Sequence, residues 1–472
     1  MPPNMGNLKH LQTLSDFVVP KCNGHSIVEL KKLQHLGKAL KISGLGNIIH
    51  DRDELEADIV SNKQYLSRLD LIWGGDTEDP ENDEQVLDKL KPHVNLKELV
   101  IECYGGIRFT GWLGDPSFSN LSSIELGRFK HCTLLPPLGQ LPSLRKLYIV
   151  GFRNVVEIGT EFYGNDTTCA GIKPFRSLEE LTFEDMLEWQ EWSYGEGSQE
   201  EGGILPNLRQ LTLWNCPKLI KILPLDKLLK LEKLKLFGSF SGSLSHPESE
   251  WPKFVSLSSM LMYRCPKLVC FPNGGRDAPK LEAMQIFGCE KLRSLPEQIL
   301  TLLPSLQSMT IQGCPELKSF PQWGLPSKLK SLVFDCSREL FANRGQWGLC
   351  KLSSLTHLTI DFVGCGEVDS FPPKELLLPT SLISLDISGL SNLTTIQGKE
   401  LTSLISLQEF TISNCPELQC FPEEALDSLK RLRIWRCPML ESQVKPDQLY
   451  PLGPILLLNG IKLKAINLLS DE

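Results

Sequence analysis

One phrase recurs along the second half of this chain and constrains its fold more than any other feature. Its plainest copies are LQSMTIQGCPELKSFP, beginning at Leu306, and LQEFTISNCPELQCFP, beginning at Leu407. Ten copies follow one another at intervals of 22 to 27 residues, and they begin at Leu208, Leu231, Leu257, Leu281, Leu306, Leu329, Leu355, Leu382, Leu407 and Leu429. A chain that repeats at this period folds as stacked units, each in contact with its neighbours.

Within each copy, positions one, four and six are apolar, as in Leu306, Met309 and Ile311. Positions four and six share one face of a short strand because side chains alternate along a strand. Further apolar residues come at position twelve and often at fifteen, where a proline such as Pro321 then turns the chain. The period and pattern predict a leucine-rich-repeat solenoid, an α/β horseshoe with a parallel β-sheet on the concave face and irregular turns and short helices on the convex face.

The repeat predicts one continuous array over residues 1–441. It is most regular over 208–441 and irregular over 1–95, and looser copies begin at Leu66, Leu96, Leu121, Leu144 and Leu178. Polar inserts near 163–173, 193–204 and 238–251 interrupt the period and predict loops. Residues 442–472 form a tail outside the repeat. This tail either caps the exposed edge of the last strand or is the product of an altered reading frame.

Charge and cysteine placement narrow the class of protein. The net charge of -8 argues against a nucleic-acid-binding surface. The chain has neither a secretory signal at its start nor an uninterrupted apolar run long enough for a membrane span, so we expect an intracellular, cytoplasmic protein. Of the 15 cysteines, several recur at position nine of the repeat, and they predict buried thiols: Cys216, Cys265, Cys289, Cys314, Cys415 and Cys437.

Signals for catalysis are poor. The chain contains no HExxH, CxxC or GxSxG motif, and its eight histidines lie singly. We therefore expect neither a catalytic residue, nor a metal site, nor a cofactor site in this chain, and we expect that the protein is not an enzyme.

Positions three, five and seven point away from the buried leucines and carry any binding surface. Position seven is aromatic in four consecutive copies, as Trp214, Phe237, Tyr263 and Phe287. Adjacent strands lie about 4.8 Å apart, so these rings are expected to form a contiguous ridge. Exposed aromatic clusters are favoured anchors of protein interfaces. The alternative is a structural ladder of stacked rings.

A second candidate surface lies at the end of the array. Arg431 and Arg433 occupy positions three and five of the last copy, Trp435 occupies its position seven, and Arg436 is nearby. These residues predict a contact with an acidic partner. The alternative is an ordinary solvated edge.

The first half of the chain carries a resemblance to a known family. Strings such as MGNLKHLQTLSDFVV, VLDKLKPHVNLKELVIECYGG, LPPLGQLPSLRKL and PFRSLEELTFEDMLEWQEW resemble the repeat domain of plant disease-resistance proteins of the coiled-coil, nucleotide-binding, leucine-rich-repeat type. The resemblance runs from about residue 1 to 441. It implies an intracellular immune receptor whose repeat domain recognises pathogen effectors, or host proteins that effectors modify, and restrains an ADP/ATP-switching domain.

This chain departs from that family in its tail after residue 441, in the lack of a coiled-coil segment ahead of the array, and in its nucleotide-binding motif. It has no GxxxxGK[ST] phosphate loop, so ADP or ATP is expected only in the nucleotide-binding domain of a full-length relative. The partners implied are proteins: a pathogen effector, a guarded host protein, or the nucleotide-binding domain of a receptor. Nucleic acid is not expected.

Other readings of the sequence remain open. An extracellular leucine-rich-repeat receptor or inhibitor would use the glycosylation triplets at Asn120, Asn165 and Asn392. A ubiquitin-ligase substrate adaptor would need an F-box segment ahead of the array. A truncated fragment would have no independent function.

Overall fold

Positions three to seven of each copy form a short strand, and strands from successive copies pair side by side. In the computed structural model the described residues are 4–21, 27–48, 59–74, 79–164, 173–193, 205–222, 225–238, 250–271, 274–275, 277–365, 368–422, 429–443, 455–458 and 461–463. They fall into two compact units, Met1–Ser243 and Leu244–Glu472.

The first unit is built on a parallel sheet in which each strand pairs with its neighbours in sequence. The strands are Asp16–Val18, Gly37–Ser43, Tyr65–Ile72, Glu98–Glu102, Ser123–Gly127, Lys146–Val150, Glu180–Glu184, Gln210–Trp214 and Lys233–Phe237. Its return segments include the α-helices Pro80–Lys89 and Thr160–Tyr163 and the 3-10 helices Met5–Asn7, Ile27–Lys32, Leu45–Asn47, Leu138–Gln140 and Leu225–Lys227.

The second unit repeats the arrangement. Its parallel strands are Ser259–Tyr263, Ala283–Phe287, Ser308–Gln312, Ser331–Asp335, His357–Asp361, Ser384–Ser388, Glu409–Ser413, Arg431–Trp435 and Ile455–Leu458. Its return segments include the α-helices Ile299–Leu302, Arg338–Ala342, Gly398–Thr402 and Pro438–Gln443 and the 3-10 helices Arg344–Gln346 and Leu349–Lys351. The parallel sheets and short return helices confirm the predicted leucine-rich-repeat fold.

The return path also carries short strand pairs that the repeat does not signal. Glu157–Ile158 pairs with Glu191–Trp192 in the first unit. In the second unit Glu250–Trp251 pairs with Gly274–Gly275, and Ser370–Phe371 pairs with Thr395–Ile396. These pairs lie away from the main sheet and join neighbouring copies on their return side.

The core follows the repeat. Leucines at position twelve are buried in every copy for which they are predicted: Leu219, Leu268, Leu292, Leu317, Leu340, Leu393, Leu418 and Leu440. The position-nine thiols are buried as well, and they donate to backbone carbonyls: Cys415 lies 3.3 Å from the carbonyl of Ser413, and Cys437 lies 3.4 Å from that of Trp435. Cysteine therefore serves here as a small interior residue and weak donor.

Position eight, the residue after the strand, adopts the left-handed backbone region in eight of the ten regular copies, all except those with Cys336 and Phe362. It has positive φ whether it is glycine, as at Gly313 (65°), or not, as at Asn215 (51°) and Arg264 (49°). The amide of Asn215 donates to the carbonyl of Phe237 at 2.6 Å, and that of Arg264 donates to Phe287 at 2.6 Å. The left-handed residue thus turns the chain and keeps the last ladder hydrogen bond.

The end of the array is extended by the tail. Ile455–Leu458 pairs in parallel with Arg431–Trp435, and Ile461–Leu463 pairs antiparallel with Ile455–Leu458. This pairing agrees with the edge-capping interpretation of the tail, although most of residues 442–472 lies outside the described residues. Most of the three predicted loop inserts also lies outside them. The domain boundaries drawn from the sequence stay a prediction.

Candidate protein-interaction surface

Most strands bury one face and leave the other at least partly exposed, and Val100 and Thr212 are buried exceptions at position five. In Ser308–Gln312, for example, positions four and six are buried while three, five and seven are half-buried. We call the surface formed by positions three, five and seven the open face. All seven aromatic and basic residues proposed from the sequence lie on it: Trp214, Phe237, Tyr263, Phe287, Arg431, Arg433 and Trp435.

On the first unit, Trp214 and Phe237 occupy the same register position of adjacent strands. Their rings stack with centroids 4.4 Å apart and planes 23° apart. Trp214 is nevertheless 44% exposed. The pair is therefore both a ring ladder and an uncovered apolar surface, so the two interpretations of these residues are compatible.

On the second unit, Tyr263 and Phe287 are likewise partners in register. Tyr263 is 36% exposed, and Phe287 is half-buried. The guanidinium of Arg264 lies 5.3 Å from the Tyr263 ring centroid, within range of a cation–π contact. A ridge running unbroken from Trp214 to Phe287 stays a prediction.

The basic end of the second unit is less basic than its sequence indicates. Glu409 precedes Arg431 by one strand and forms an ion pair with it, and its second carboxylate oxygen lies 4.0 Å from Arg433. Trp435 follows on the same strand and is 46% exposed. One carboxylate thus partly neutralises two guanidinium groups, and the exposed indole dominates this end of the open face.

The open face of the second unit also carries carboxylates that are not among the candidate residues predicted from the sequence. Asp335, Asp361 and Asp386 lie on three consecutive strands. Burial raises the pKa of Asp335, and the charge of Asp361 adds to the rise. Hydrogen bonds donated by the amide of Gly313 at 2.6 Å and by the side chain of Gln312 at 3.4 Å lower this pKa in part. This part of the open face is acidic, with hydroxyl-bearing serines and threonines around it.

The first unit carries a longer acidic region that reasoning from position seven alone missed. Glu102, Glu125 and Glu184 project from the open face of three strands. Their signal was present in the looser copies, because they stand at position five or seven counted from Leu96, Leu121 and Leu178.

Two features of the described residues bear on other kinds of function. No group of histidine, cysteine, aspartate or glutamate side chains there has the arrangement of a metal site. No helix within the described ranges has the length and apolar character to cross a membrane.

The comparisons with known proteins agree with this architecture. Residues 27–152 match the R13L1/DRL21 leucine-rich-repeat family model. Disease resistance RPP13-like protein 1 of Arabidopsis thaliana is 36% identical over 293 residues, which is 59% of this chain and 27% of that protein. Disease resistance protein RGA2 of Solanum bulbocastanum is 30% identical over 273 residues, or 57% of this chain and 27% of that protein. The resemblance to plant disease-resistance repeats is confirmed, and the chain spans about a quarter of the length of these relatives.

Among solved structures, the glycosylated Toll–Spatzle complex of Drosophila matches with a TM-score of 0.51 and 13% identity. The match covers 89% of this chain and 58% of that chain. At this identity it shows the fold alone, which is again a leucine-rich-repeat array.

Proposed function

We propose that this chain is the protein-recognition module of an intracellular plant immune receptor. It senses pathogen effectors, or host proteins that effectors modify, and in a full-length receptor it regulates an ADP/ATP-switching domain. The observation that carries the proposal is the similarity of more than half of the chain to the repeat regions of disease-resistance proteins. ADP or ATP belongs to that other domain, and this chain works by contact, without catalysis or a cofactor of its own.

The open face supports this role because it presents exposed aromatic rings on regular strands. Trp214, Tyr263 and Trp435 are each at least one-third exposed. Aromatic side chains bury a large area with few rotatable bonds, so they anchor interfaces at modest entropic cost. Within each unit, the paired strands hold such rings in regular positions, which favours recognition of a matching surface.

The test begins with a chimera. This chain replaces the matching repeats of disease resistance protein RGA2, and the chimera is screened against a panel of secreted pathogen proteins for a resistance response in leaf tissue. Pairs that respond are then measured for direct binding to the chain. A response of the chimera to proteins that unmodified RGA2 ignores supports the proposal. A chimera that binds and responds to nothing new contradicts it.

Trp214→Ser combined with Tyr263→Ser tests whether the aromatic anchors carry the contact. Loss of interface anchors costs at least about 2 kcal/mol each, so we expect binding to a responding protein to weaken more than tenfold. The control is Trp323→Ser with Ile405→Ser, because these side chains are 74% and 82% exposed and lie outside the strands. Unchanged binding with a lowered melting temperature would leave the rings as a structural ladder only.

The intracellular assignment has its own check. Asn120 and Asn392 are exposed, and Asn165 lies outside the described residues. Glycan on any of the three in the protein purified from plant tissue would contradict an intracellular location.

A further inference from the structure

The open face of the first unit carries more carboxylates than cations between the strands Tyr65–Ile72 and Gln210–Trp214, whereas the flanking strands add Lys41, Lys233 and Lys235. On the strands from Tyr65–Ile72 to Gln210–Trp214, positions three, five and seven carry the carboxylates Asp70, Glu98, Glu102, Glu125, Glu180 and Glu184 and the cations Arg68 and Lys146. Both cations are already engaged. Arg68 pairs with Asp70 at 2.9 Å and with Glu98 at 3.0 Å, and Lys146 pairs with Glu180 at 3.1 Å.

The remaining carboxylates, Glu102, Glu125 and Glu184, have no ion pair with any described residue. Burial raises the pKa of Glu125, and the neighbouring charges of Glu102, Asp70 and Glu184 raise it further, with Arg68 opposing from a distance. Burial also raises the pKa of Glu184, with Asp185 adding to the rise. Like charges held together on a half-buried face destabilise the free protein, and a cation supplied from outside removes that cost.

The shape of this region leaves space for such a cation. At position seven, the strands between Glu102 and Glu184 carry only Gly127 and Val150. At position five, Tyr148 lies beside Glu125 in register. The short side chains at position seven leave room above the sheet, and the Tyr148 ring at position five offers a flat surface. A long cationic side chain can lie there.

A metal ion does not fit. Glu102 and Glu184 are three strand steps apart, about 14 Å at 4.8 Å per step, whereas metal-bound oxygens lie about 2.0 to 2.6 Å from their ion. The described residues also contain no metal-type cluster. The occupant must therefore be extended and must carry more than one positive charge.

The acidic strip ends at an exposed aromatic ring. Trp214 is the register partner of Glu184 on the next strand, and it is 44% exposed over its stacked neighbour Phe237. A segment that crosses the strands along position seven passes from Glu102 to Glu184 and then reaches this ring. The ring supplies apolar area, and indole is also the best face for a cation–π contact.

We propose that the open face of the first unit binds an extended basic segment of a protein partner, with lysine or arginine side chains over Glu102, Glu125 and Glu184 and its next side chain on Trp214. Extended chain advances about 3.3 to 3.6 Å per residue, so a segment of about six residues covers the strip and the ring. This inference rests on the proposed function and names the chemistry of the partner.

The test uses the whole chain and two fluorescein-labelled peptides of equal length, one alternating arginine and serine and ending in tryptophan, the other with glutamate in place of arginine. Binding is followed by fluorescence polarisation at about 0.05 M and about 0.5 M salt. The test variant is E102Q/E125Q/E184Q. The matched control is E179Q/E188Q/E232Q, which changes the net charge equally at glutamates that pair with Arg145, Lys218 and Arg209 off the open face.

We expect the basic peptide to bind and the acidic one not to. The test variant should weaken binding about tenfold or more and flatten its salt dependence, while the control should stay within about twofold. We also expect E125Q to leave the melting temperature unchanged or raised, because it removes repulsion; a purely structural glutamate would lower it.

Equal loss of peptide binding in the test and control variants would overturn the inference, because binding would then depend only on the net charge of the protein. Failure of the basic peptide to bind would overturn it as well. In either case the proposed function is judged separately by the chimera, because recognition through Trp214 and Tyr263 does not require a basic partner.

Discussion

Position eight shows how one residue per copy shapes the array. In most copies it turns the chain out of the strand and still donates its amide to the next strand, and the left-handed region meets both needs. Glycine adopts this region without a steric penalty, and asparagine adopts it more readily than other residues do. Arg128, Arg264 and Arg436 adopt it as well, with φ of 63°, 49° and 54°, so the fold imposes the conformation even where the residue disfavours it.

Gly151→Ala measures this constraint. Gly151 has a φ of 71°, and a Cβ there would lie 3.2 Å from the Cα of Arg128. We expect a loss of about 1 to 2 kcal/mol in the free energy of unfolding by urea, because alanine pays the left-handed penalty. Gly111→Ala is the control, since a Cβ there meets nothing within 4 Å, and it should change stability by no more than about 0.5 kcal/mol. Equal effects of the two variants would contradict this account.

At the scale of elements, successive copies are joined by more than the strand ladder. Lys63 is fully buried, and its ammonium donates to the carbonyl of Leu30 at 2.7 Å, to that of Leu33 at 3.2 Å and to the Asn62 side chain at 3.1 Å. These carbonyls lie in and after the 3-10 helix Ile27–Lys32. The lysine of one copy thus supplies hydrogen-bond donors to the carbonyl groups at the end of the preceding copy's helix.

The charge of Lys63 gives this junction a pH dependence. Burial lowers the pKa of Lys63 to about 8. The unfolded chain keeps the ordinary lysine pKa near 10.4, so between about pH 8 and about 10.4 it holds a proton that the folded chain has released. Stability against unfolding therefore rises with pH in this window.

We expect the urea midpoint of the native chain to rise between about pH 7.5 and about pH 9.5 relative to that of Lys63→Met. At the lower pH the variant should be less stable by about 1 to 3 kcal/mol, because two buried carbonyls lose their donor. Lys318→Met, at a side chain 59% exposed, should follow the native pH profile. Parallel pH profiles for the native chain and Lys63→Met would show that the buried ammonium keeps an ordinary pKa.

At the scale of the whole molecule, each unit is a row of copies in contact with their neighbours in sequence. Such an array transmits a local loss of stability to adjacent copies first. The chain divides into Met1–Ser243 and Leu244–Glu472. We therefore expect a loss of stability in one unit to affect that unit first.

Leu317→Ala tests that locality. Leu317 is buried at position twelve, and its loss should cost about 2 to 5 kcal/mol. We expect amide hydrogen exchange to accelerate in Ser308–Gln312 and in the flanking strands Ala283–Phe287 and Ser331–Asp335, while Glu98–Glu102 keeps its protection. Uniform acceleration in both units would show that the chain unfolds as one cooperative body.

The sequence alone predicted the strands, their buried positions and the position-nine thiols, because a period of two within a copy and a period of 22 to 27 between copies are local properties of the chain. It also placed the seven candidate surface residues on the open face. Those assignments do not require knowing which side chains lie next to one another on neighbouring strands.

Only the tertiary structure decided the balance of charge on that face. Glu409 offsets Arg431 and Arg433, whereas Glu102, Glu125 and Glu184 have no ion pair with any described residue. Inserts of varying length separate these copies, so proximity depends on the register in which the strands pair. Electrostatic energy depends on those distances between side chains and not on their spacing in the chain, which is why the repeat fixes where the surface lies and the fold fixes its charge.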